Sequence, residues 1–486
     1  MHFDSIPQRP FQMFIDNHFV DAINSECLLV IDPSTGRGFA EIPRGGRPEV
    51  DRAVVSARSS FDGAWGKFNA VERGRVLMQW ARLVADHSEE LAALESQDTG
   101  KPLKQARADA AALARYFEFY AGACDKLHGS TLPYQHGYTV MTIREPHGVT
   151  GHIIPWNYPM QIFGRSVAAA LAAGNACVVK PAEDACLSLL RAAQLGADAG
   201  LPAGALNIVT GLGNEAGQAL AEHHGVDHIS FTGSPETGRR VAQAAATHYC
   251  PVTLELGGKS PQLVFADADL DIAAPVLVNA IIQNAGQTCS AGSRILVEQS
   301  IQSALSERIA DLFNHLRAGP AHMDLDLGPL VSRKQLHRVW DFLSDAQTDG
   351  LQFSAQGHVV DEAPTDGFYQ APVFLDNVPA EHKLSRQEIF GPVLIMTSFS
   401  TEEEAIRLAN SSDYGLIAGV WTANGARQLR AARKLRCGQV FINNYGAAGG
   451  VELPFGGVKH SGYGREKGFE ALYGFTCVKT VAIKHD

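Results

Sequence analysis

Two residues of this chain, a cysteine and a glutamate, could together perform covalent catalysis followed by hydrolysis. Cys289 lies in the segment Asn-Ala-Gly-Gln-Thr-Cys-Ser, and Glu255 begins the segment Glu-Leu-Gly-Gly-Lys-Ser-Pro. A thiolate adds readily to a carbonyl carbon, and the thioester that can follow is activated towards water. A carboxylate can remove the proton from that water. Because most cysteines are simply small buried apolar residues, this interpretation depends on the other segments of the chain.

Two segments next to predicted strands carry groups suited to an oxyanion and to a ribose. Residues 153–159, Ile-Ile-Pro-Trp-Asn-Tyr-Pro, place the uncharged amide of Asn157 where it could stabilise an oxyanion. In residues 178–183, Val-Val-Lys-Pro-Ala-Glu, Lys180 could donate a hydrogen bond to a ribose. Glu183 could accept one from a 2′-hydroxyl and would repel a 2′-phosphate. A solvated lysine–glutamate pair is the structural alternative for this segment.

Two further segments suit a pyrophosphate and a flat ring. Residues 231–239, FTGSPETGR, end a predicted strand and begin a helix whose free N–H groups could bind an anion. The segment does not follow the GxGxxG pattern, and a tight turn without a ligand explains it equally well. Residues 388–393, EIFGPV, offer an acid for a sugar and an aromatic side chain for a ring.

A repeated strand–helix pattern would bring these segments together. The predicted strands are 150–154, 176–179, 206–209, 228–231 and 252–254, and the helices between them are 160–173, 187–200, 214–224 and 235–248. This alternation is typical of parallel strands joined by crossover helices, so the sequence predicts an α/β fold with a doubly wound parallel sheet. Such sheets bind ligands at the carboxyl ends of their strands.

A second α/β unit is predicted from Gly257 to about Leu472, with Cys289 between an apolar helix and a strand. A boundary between Glu255 and Cys289 would put the site in the cleft between the two units. Alternating patterns at 137–145 and 476–484 predict two solitary strands. These would pair with each other or with a neighbouring subunit, or form a local hairpin cap.

Composition narrows the class of protein. The chain has 486 residues, enough for about three domain-sized units, and its net charge of −11 argues against binding to nucleic acid or to an acidic membrane. The first ten residues show no secretory leader, and no apolar run reaches the ~20 residues that span a bilayer. The eight cysteines are far apart with no CxxC pair. We therefore expect no disulfide framework, no metal site and a cytoplasmic location.

Taken together, these segments resemble the aldehyde dehydrogenase superfamily. The family's motifs occur in order and span the chain from about Phe11 to Lys484: PWN, KPAE, FTGSPETG, ELGGKSP, GQTCSAGSR, EIFGPV and PFGGVKHSGYGRE. The resemblance implies an NAD-binding domain at 1–122 and 147–256, a catalytic domain at 257–472, and bridging strands at 123–146 and 473–486. It also implies a homodimer or homotetramer.

The activity that this resemblance implies is the oxidation of a small aldehyde to its carboxylic acid. Cys289 would form a thiohemiacetal, whose oxyanion would be held by the Asn157 side chain and the Cys289 backbone N–H. Transfer of a hydride to the nicotinamide would leave a thioester, and Glu255 would act as the general base in its hydrolysis. Relatives that prefer NADP tend to carry a small residue at the position of Glu183, so we expect NAD rather than NADP.

The resemblance also implies a cofactor site and a substrate pocket. The expected cofactor-binding residues are Ile153, Ile154, Pro155, Trp156, Lys180, Glu183, Gly213, Gly217, Phe231, Gly233, Ser234, Leu256, Glu388 and Phe390. The expected pocket residues are Tyr158, Gln161, Arg165, Thr288, Ser290 and Tyr445.

Three positions leave the substrate and one proton path open. Ser166 stands where many relatives carry a lysine near the general base. Arg165 matches an arginine of relatives that act on succinate semialdehyde or lactaldehyde, and a guanidinium suits a carboxylate or hydroxyl tail. A surface or ion-paired arginine is the alternative. Glu452, in a segment of small residues at the expected pocket entrance, could instead attract a cation.

Two other functions are compatible with the same family. CoA-acylating semialdehyde dehydrogenases usually lack the acid that Glu255 provides. Non-enzymatic members, such as lens structural proteins, tend to lose the substrate-site geometry, whereas this chain keeps Cys289, Glu255 and Asn157. The sequence therefore favours the hydrolytic enzyme.

Overall fold

The computed structural model describes residues 11–486, apart from the side chains of residues 447 and 448. The first ten residues, for which we expect no secretory leader, lie outside the described part. The strands are β1 (Met13–Ile15), β2 (His18–Val20), β3 (Cys27–Asp32), β4 (Arg37–Pro43), β5 (Thr131–Leu132), β6 (Tyr138–Pro146), β7 (Val149–Ile154), β8 (Ala176–Pro181), β9 (Leu206–Ile208), β10 (His228–Thr232), β11 (Val252–Glu255), β12 (Pro261–Val264), β13 (Arg294–Glu298), β14 (Arg317–Ala318), β15 (Ala355–Gln356), β16 (His358–Val359), β17 (Val373–Leu375), β18 (Val393–Phe399), β19 (Ile417–Trp421), β20 (Gln439–Ile442), β21 (Gly462–Tyr463) and β22 (Thr476–Lys484).

The helices lie between these strands and cover the sheets. They are α1 (Arg47–Asp62), α2 (Ala70–Asp86), α3 (Ser88–Thr99), α4 (Leu103–Ala123), α5 (Pro159–Phe163), α6 (Ala169–Ala173), α7 (Leu187–Asp198), α8 (Gln218–Ala221), α9 (Pro235–Ala246), α10 (Leu270–Ile282), α11 (Gln302–Asn314), α12 (Arg333–Thr348), α13 (Lys383–Arg386), α14 (Glu402–Ala409), α15 (Gly425–Lys434) and α16 (Glu470–Gly474). Two π-helical turns, Gly164–Ala168 and Gly213–Gly217, lead into α6 and α8. None of the helices within residues 11–486 is long and apolar enough to cross a membrane.

The first large sheet confirms the predicted α/β fold. Its order is β2-β1-β9-β8-β7-β10-β11-β21, and the five neighbouring strands β9, β8, β7, β10 and β11 are parallel. These five are the strands that the sequence predicts, and their crossover helices pack on the sheet. Chain order reverses on the two sides of β7, since β8 and β9 lie on one side and β10 and β11 on the other. A doubly wound sheet opens its ligand-binding crevice at such a reversal.

A second sheet carries the other half of the chain. Its order is β15-β17-β18-β13-β12-β19-β20, with every pair parallel except β15 with β17. Its strands have few polar positions because helices cover both faces, as expected for a parallel sheet. The chain passes from the first sheet to the second between β11 and β12, a short segment that begins directly after Glu255.

The two solitary strands pair with each other. Strand β22 runs antiparallel to β6, from Thr476 opposite Pro146 to Lys484 opposite Tyr138, and β5 completes this three-stranded sheet. Of the alternatives left open by the sequence, pairing between the two segments is therefore realised within one chain. The outer edge of β22 has no strand partner within the described residues.

Helices α2 and α4 show how the pattern of apolar residues fixes the packing beside the first sheet. Leu113, Phe117 and Tyr120 recur at helical spacing on one face of α4 and are buried. The Phe117 ring stacks on Trp80 of α2, with 4.0 Å between ring centroids. Truncating such an aromatic residue to alanine typically costs about 3–5 kcal/mol, so this contact holds α4 firmly. Helix α4 forms one wall of the cavity described below.

The C-terminal segment returns to the core of the first sheet. Val451, Leu472 and Phe475 pack in the same hydrophobic cluster as strands β7 to β10. Strand β21 also adds to the edge of this sheet beside β11. The last part of the chain therefore joins the two large sheets across the cleft between them, while the residue bounds that we expect for the domains stay a prediction.

Candidate active site

Four parallel strands end at one edge of the first sheet, and four of the predicted site segments begin there: those of Asn157, Lys180, Ser234 and Glu255. Their register places Ile154 of β7 opposite Pro181 of β8, and Thr232 of β10 opposite Glu255 of β11. The segments that follow these strands therefore emerge side by side. Because chain order reverses at β7, the crevice opens where residues 155–157 leave the sheet.

The loop before Cys289 has an unusual backbone. Asn284, Ala285 and Gly286 follow one another in the left-handed region, with φ of 48°, 52° and 75°. Left-handed conformations are rare for residues other than glycine, and they cost energy that the surrounding contacts must offset. Hydrogen bonds supply these contacts: the backbone N–H of Asn284 donates to Gln105 Oε1 at 2.8 Å.

Asn157 is bonded directly to this loop. Its side-chain Nδ2 donates to the carbonyl oxygen of Gln287 at 3.0 Å, and Asn284 Nδ2 donates to the carbonyl oxygen of Asn157 at 2.8 Å. Gln287 is held in turn by the backbone N–H of Val331, which donates to its Oε1 at 2.9 Å. These reciprocal bonds fix the amide of Asn157 relative to Cys289. A primary amide has two N–H groups, so one remains for another acceptor.

A cavity of about 780 Å³ contains Cys289 in its wall. The structure places around it Asn157 and every residue that the sequence predicts for the substrate pocket, namely Tyr158, Gln161, Arg165, Thr288, Ser290 and Tyr445. Other walls come from α4 and from the segment 449–455. Glu255 is not one of the lining residues and lies buried behind this wall. The volume is that of a small-molecule site.

A buried ion network holds two of the pocket residues. The ammonium of Lys101 pairs with Glu95 at 2.9 Å and with Asp109 at 2.5 Å, and all three side chains are almost fully buried. Asp109 also accepts a hydrogen bond from Gln161 Nε2 at 2.5 Å. Lys101 lies 4.4 Å from the centroid of the Tyr158 ring. The network therefore fixes the side chains of Gln161 and Tyr158 where they face the cavity.

Burial dominates the electrostatics of Cys289. It raises the pKa of the thiol to about 12, and the positive charge of Arg165 acts in the opposite direction. The backbone approaches closely on the other side: a Cβ atom on Gly258 would lie 2.3 Å from the carbonyl oxygen of Cys289. Only glycine fits at Gly258, which explains one of the two adjacent glycines that follow Glu255.

Glu255 is a buried acid without a hydrogen-bond partner. Its side chain is 1% exposed, and neither carboxylate oxygen meets a protein donor within the described residues. Burial raises its pKa well above the ordinary value, the negative charge of Glu466 adds to this rise, and Arg165 opposes it. A carboxylate with a raised pKa and no fixed partner is the state expected of a general base that must bind water.

The structure pairs Arg165 with a buried acid. Its guanidinium forms an ion pair with Glu466 and donates to Thr232 Oγ1 at 3.2 Å. Burial alone would lower the pKa of Arg165, but the charge of Glu466 keeps it above its ordinary value. Of the two alternatives for Arg165, the ion-paired arginine is therefore the one observed. Ser166 occupies the position of the usual lysine, but its hydroxyl donates to the carbonyl oxygen of Ile162 at 2.8 Å and does not point to Glu255 as a hydrogen-bond donor.

Glu452 at the cavity mouth also has a cationic partner. Its carboxylate forms an ion pair with Arg115 of α4, and Arg115 pairs in addition with Glu118 at 3.2 Å. Both members of the Arg115–Glu452 pair are about half exposed. The charge of Glu452 is thus already compensated, which weakens the suggestion that it attracts a cationic substrate.

The residues expected to bind a ribose lie together at the end of β8. Lys180 Nζ donates to Glu183 Oε2 at 2.8 Å; the lysine side chain is 3% exposed and the glutamate 33%. A Cβ on Gly217, which ends the π-helical turn begun by Gly213, would lie 3.8 Å from Lys180 Cδ. Gly217 therefore lies beside the stem of Lys180, on the carboxyl side of the sheet.

Helix α9 begins at the end of β10, as predicted. Ser234 caps this helix through its hydroxyl, which accepts from the backbone N–H of Thr237 at 3.2 Å, and Pro235 is the first helical residue. A Cβ at Gly233 would lie 2.6 Å from the ring of Phe231, so a larger residue would require that ring to move. Leu256 packs against Gly238 of the same helix. The arrangement presents a helix N-terminus at the crevice, which favours an anion.

Glu388 and Phe390 reach this crevice from the second sheet. Glu388 Oε1 accepts from the backbone N–H of Gly258 at 2.8 Å, and burial raises its pKa to about 7. The Phe390 ring meets the Trp156 ring edge to face, with 5.5 Å between centroids. Phe390 adopts a left-handed φ of 64°, so its position is held by its surroundings and not by local preference.

Sequence reasoning missed several charged residues of the site: Arg115, the Lys101 network, and the neighbours Glu466 and Lys467. Glu466, partner of Arg165, also accepts a hydrogen bond from Ser230 Oγ at 2.5 Å. Lys467, the next residue, lines the cavity. Glu466 is the last residue of the PFGGVKHSGYGRE motif, and an acid among its glycines is the feature that could have drawn attention to this segment; Lys467 follows the motif directly.

Comparisons with known proteins agree with this architecture. The family model described as aldehyde dehydrogenase family matches residues 19–481. A hydroxyisobutyraldehyde dehydrogenase of Mycolicibacterium austroafricanum is 41% identical over 482 residues, covering 99% of this chain and 95% of that protein. A candidate aldehyde dehydrogenase from Burkholderia cenocepacia superposes with a TM-score of 0.97 at 68% identity, covering 98% of this chain and all of that one. The NAD⁺ complex of a Bacillus cereus aldehyde dehydrogenase superposes with a TM-score of 0.96 at 39% identity, covering 98% and 97%. The family model and these aligned relatives each cover nearly the whole chain, and so this chain belongs to the aldehyde dehydrogenase family.

Proposed function

We propose that this protein oxidises an aldehyde to its carboxylic acid with NAD, by covalent catalysis at Cys289. The observation that carries the proposal is the pair of hydrogen bonds that join Asn157 to the Cys289 loop in the wall of the cavity. This arrangement sets a nucleophile and an uncharged donor at the point where the first sheet opens. Family membership and the similarity to an NAD⁺ complex support the same chemistry.

The donor set at the crevice fits NAD. Lys180 and Glu183 suit the two hydroxyl groups of a ribose, and the carboxylate of Glu183 disfavours a 2′-phosphate. The N-terminus of α9 suits a pyrophosphate, and the Trp156 and Phe390 rings suit a flat heterocycle. The other residues assigned to this site follow the same strand ends. When bound, NAD would supply the acceptor for the hydride that leaves the substrate carbon.

Cys289 and Asn157 would act in the first half of the reaction. Cys289, as the thiolate, forms a bond from its sulfur to the carbonyl carbon, and the π electrons of the carbonyl move to its oxygen, which becomes an oxyanion. The unused N–H of Asn157 and the backbone N–H of Cys289 donate to this oxyanion, and each such donor typically lowers the barrier by about 3 kcal/mol. Oxidation of the adduct leaves the acyl group on Cys289 as a thioester.

Glu255 would act in the second half. Its unpartnered carboxylate takes a proton from a water molecule, the resulting hydroxide adds to the thioester carbon, and the carbon–sulfur bond breaks. The products are the carboxylic acid and the free thiol. A buried acid in this place favours hydrolysis over transfer of the acyl group to CoA.

Three further expectations belong with this proposal, and they concern the oligomeric state, the domain bounds and the cellular location. We propose a homodimer or homotetramer assembled through the sheet β22-β6-β5, supported by the open edge of β22 and by the exposed apolar residues Val478 and Ile483. The domain bounds derived from the sequence fit the division into two large sheets. A cytoplasmic location is supported by the eight cysteines, all of which have free thiols.

The experiment is a screen for NADH formation. The purified protein is mixed with aliphatic, aromatic, cationic and ω-carboxylate aldehydes, with NAD and NADP in parallel, and absorbance at the NADH band is followed. We expect NADH with at least one class of aldehyde and faster turnover with NAD than with NADP. Failure to form NADH with every class of aldehyde would refute the proposal.

A further inference from the structure

The charged groups that line the cavity are unequally paired. They are Arg115, Arg165, Glu452 and Lys467. Arg165 pairs with Glu466 behind the wall, and Arg115 pairs with Glu452 at the mouth. Lys467 differs from these, because within residues 11–486 no carboxylate lies within ion-pair distance of its ammonium.

The ammonium of Lys467 is held at the cavity wall. Its Nζ donates to the carbonyl oxygen of Gly449 at 3.0 Å and lies 5.9 Å from the centroid of the Phe455 ring. Arg165 lies against the same ring, at 4.9 Å from the centroid. An ammonium has three N–H groups, so the bond to Gly449 leaves two for a ligand.

The backbone fixes this position as well. Lys467 has a left-handed φ of 61°, and the following Gly468 donates its N–H to the carbonyl oxygen of Val451 at 2.8 Å. Phe455 and Glu466 exchange two backbone hydrogen bonds of 2.6 and 2.8 Å. These bonds tie the segment of Lys467 to the segment that lines the cavity, and the Lys467 side chain is partly buried there.

An uncompensated cation in a partly buried wall is costly. Burial and the positive charge of Arg165 lower the pKa of Lys467 to about 8, against the opposite effect of Glu452. A ligand carboxylate would replace the lost solvation and form charge-assisted hydrogen bonds. A cationic ligand would meet three positive side chains and a single carboxylate that is already paired.

We propose that Lys467 binds a carboxylate at the far end of the substrate, so that the cavity favours aldehydes that carry such a tail. The inference rests on the proposed aldehyde oxidation, because Cys289 and Lys467 line the same cavity. It assigns the selectivity for an anionic tail to Lys467, with Arg165 neutralised by Glu466.

The first test compares aldehydes that differ only in the tail. The ratio of kcat/KM for 4-oxobutanoate and butanal, and for 4-carboxybenzaldehyde and 4-methylbenzaldehyde, is measured with NAD for the original protein and three variants. We expect a preference of about tenfold or more for at least one carboxylated member. Lys467→Met should reduce this ratio to about one, mainly through KM, while Lys467→Arg should keep it. Lys434→Met removes an exposed lysine of α15 and should change nothing.

The second test does not need turnover. Butanedioate and butanoate are compared for their ability to protect Cys289 from alkylation by iodoacetamide in the original protein and in Lys467→Met. We expect stronger protection by butanedioate, and we expect this difference to disappear in the variant. If Lys467 had only a structural role, the variant would change the protection by butanedioate and by butanoate to the same extent.

The outcomes separate this inference from the proposed function. NADH formation with equal ratios for both members of each pair, or a ratio that survives Lys467→Met, would overturn the role of Lys467 and leave aldehyde oxidation intact. Absence of NADH with all aldehydes would overturn the proposed function, and the protection experiment would still decide whether Lys467 binds a carboxylate.

Discussion

Arg165 and Glu466 form a buried ion pair between residues that are far apart in the sequence. The charges of this pair act on both Cys289 and Glu255. The arginine charge lowers the pKa of both groups, and the glutamate charge raises that of Glu255. A positive charge placed in this way helps both groups lose a proton despite their burial. We therefore assign Arg165 an electrostatic role, distinct from the substrate contact that the sequence suggests.

Replacing Glu466 by glutamine should shift the pH dependence of thioester hydrolysis. The substitution removes a negative charge near Glu255 and leaves Arg165 unneutralised, and both changes lower the pKa of Glu255. The rise of steady turnover with pH should therefore move to lower pH. The lone buried charge of Arg165 should also lower the free energy of unfolding by about 3–5 kcal/mol. Glu470→Gln, at an exposed position nearby, is the control for both measurements. An unchanged pH profile would show that Glu466 does not act on Glu255.

Replacing Cys289 by alanine should abolish NADH formation from every aldehyde. Cys289 is the only thiol among the described residues that line the cavity, and without a thiol adduct the substrate has no route to a thioester. The measurement is NADH absorbance at saturating aldehyde and NAD. Cys27→Ala, which removes an exposed thiol, should keep full activity. Turnover retained by the Cys289 variant would rule out this cysteine as the nucleophile.

Alkylation of Cys289 should become faster as the pH rises. Burial raises the pKa of its thiol to about 12, so the thiolate fraction of the free protein grows about tenfold with each pH unit below that value. The rate constant for modification by iodoacetamide, followed by mass spectrometry, should increase throughout the range from pH 6 to pH 10. A plateau that begins near neutral pH would mean that a neighbouring group stabilises the thiolate far more than Arg165 does in this structure.

The sequence predicts the fold because local patterns determine it. Alternating polarity predicts β22 with its observed bounds, Thr476 to Lys484. The regular strand–helix spacing predicts the five parallel strands β7 to β11. Family motifs then indicate which strand ends carry the site, and the structure brings the expected pocket residues around one cavity. The roles of these residues remain predictions that the experiments above address.

What the sequence does not predict is set by contacts between distant segments. The partner of Arg165 lies near the end of the chain, and nothing near Arg165 in sequence identifies Glu466. The same holds for Glu452 and Arg115, whose pairing cancels a charge that would otherwise suggest a cationic substrate. Asn284, which precedes Cys289 and has a left-handed backbone, is likewise fixed by a distant residue, since its backbone N–H donates to Gln105 of α4.

Replacing Glu255 by glutamine should separate the two halves of the reaction. Oxidation at Cys289 does not require the carboxylate, so a first burst of NADH should remain. Hydrolysis loses its base, so the steady rate should fall by about 100-fold or more. Rapid-mixing absorbance measures burst and steady phases together, and Glu307→Gln, an exposed position on α11, serves as the control. Equal loss of burst and steady rate would give Glu255 a role other than hydrolysis.

Replacing Glu183 by alanine should relax the choice of cofactor. The carboxylate is fixed by its 2.8 Å hydrogen bond from Lys180, and in the proposed cofactor site it would repel the two negative charges that a 2′-phosphate adds. Its removal frees the ammonium of Lys180 to pair with that phosphate, so kcat/KM with NADP should rise relative to NAD by about tenfold. The ratio is measured at a fixed, saturating aldehyde concentration, with the exposed Glu403→Ala as the control. If the ratio stays constant while both cofactors weaken together, Glu183 contributes to binding without discriminating, and the NAD preference must come from the shape of the crevice around Lys180.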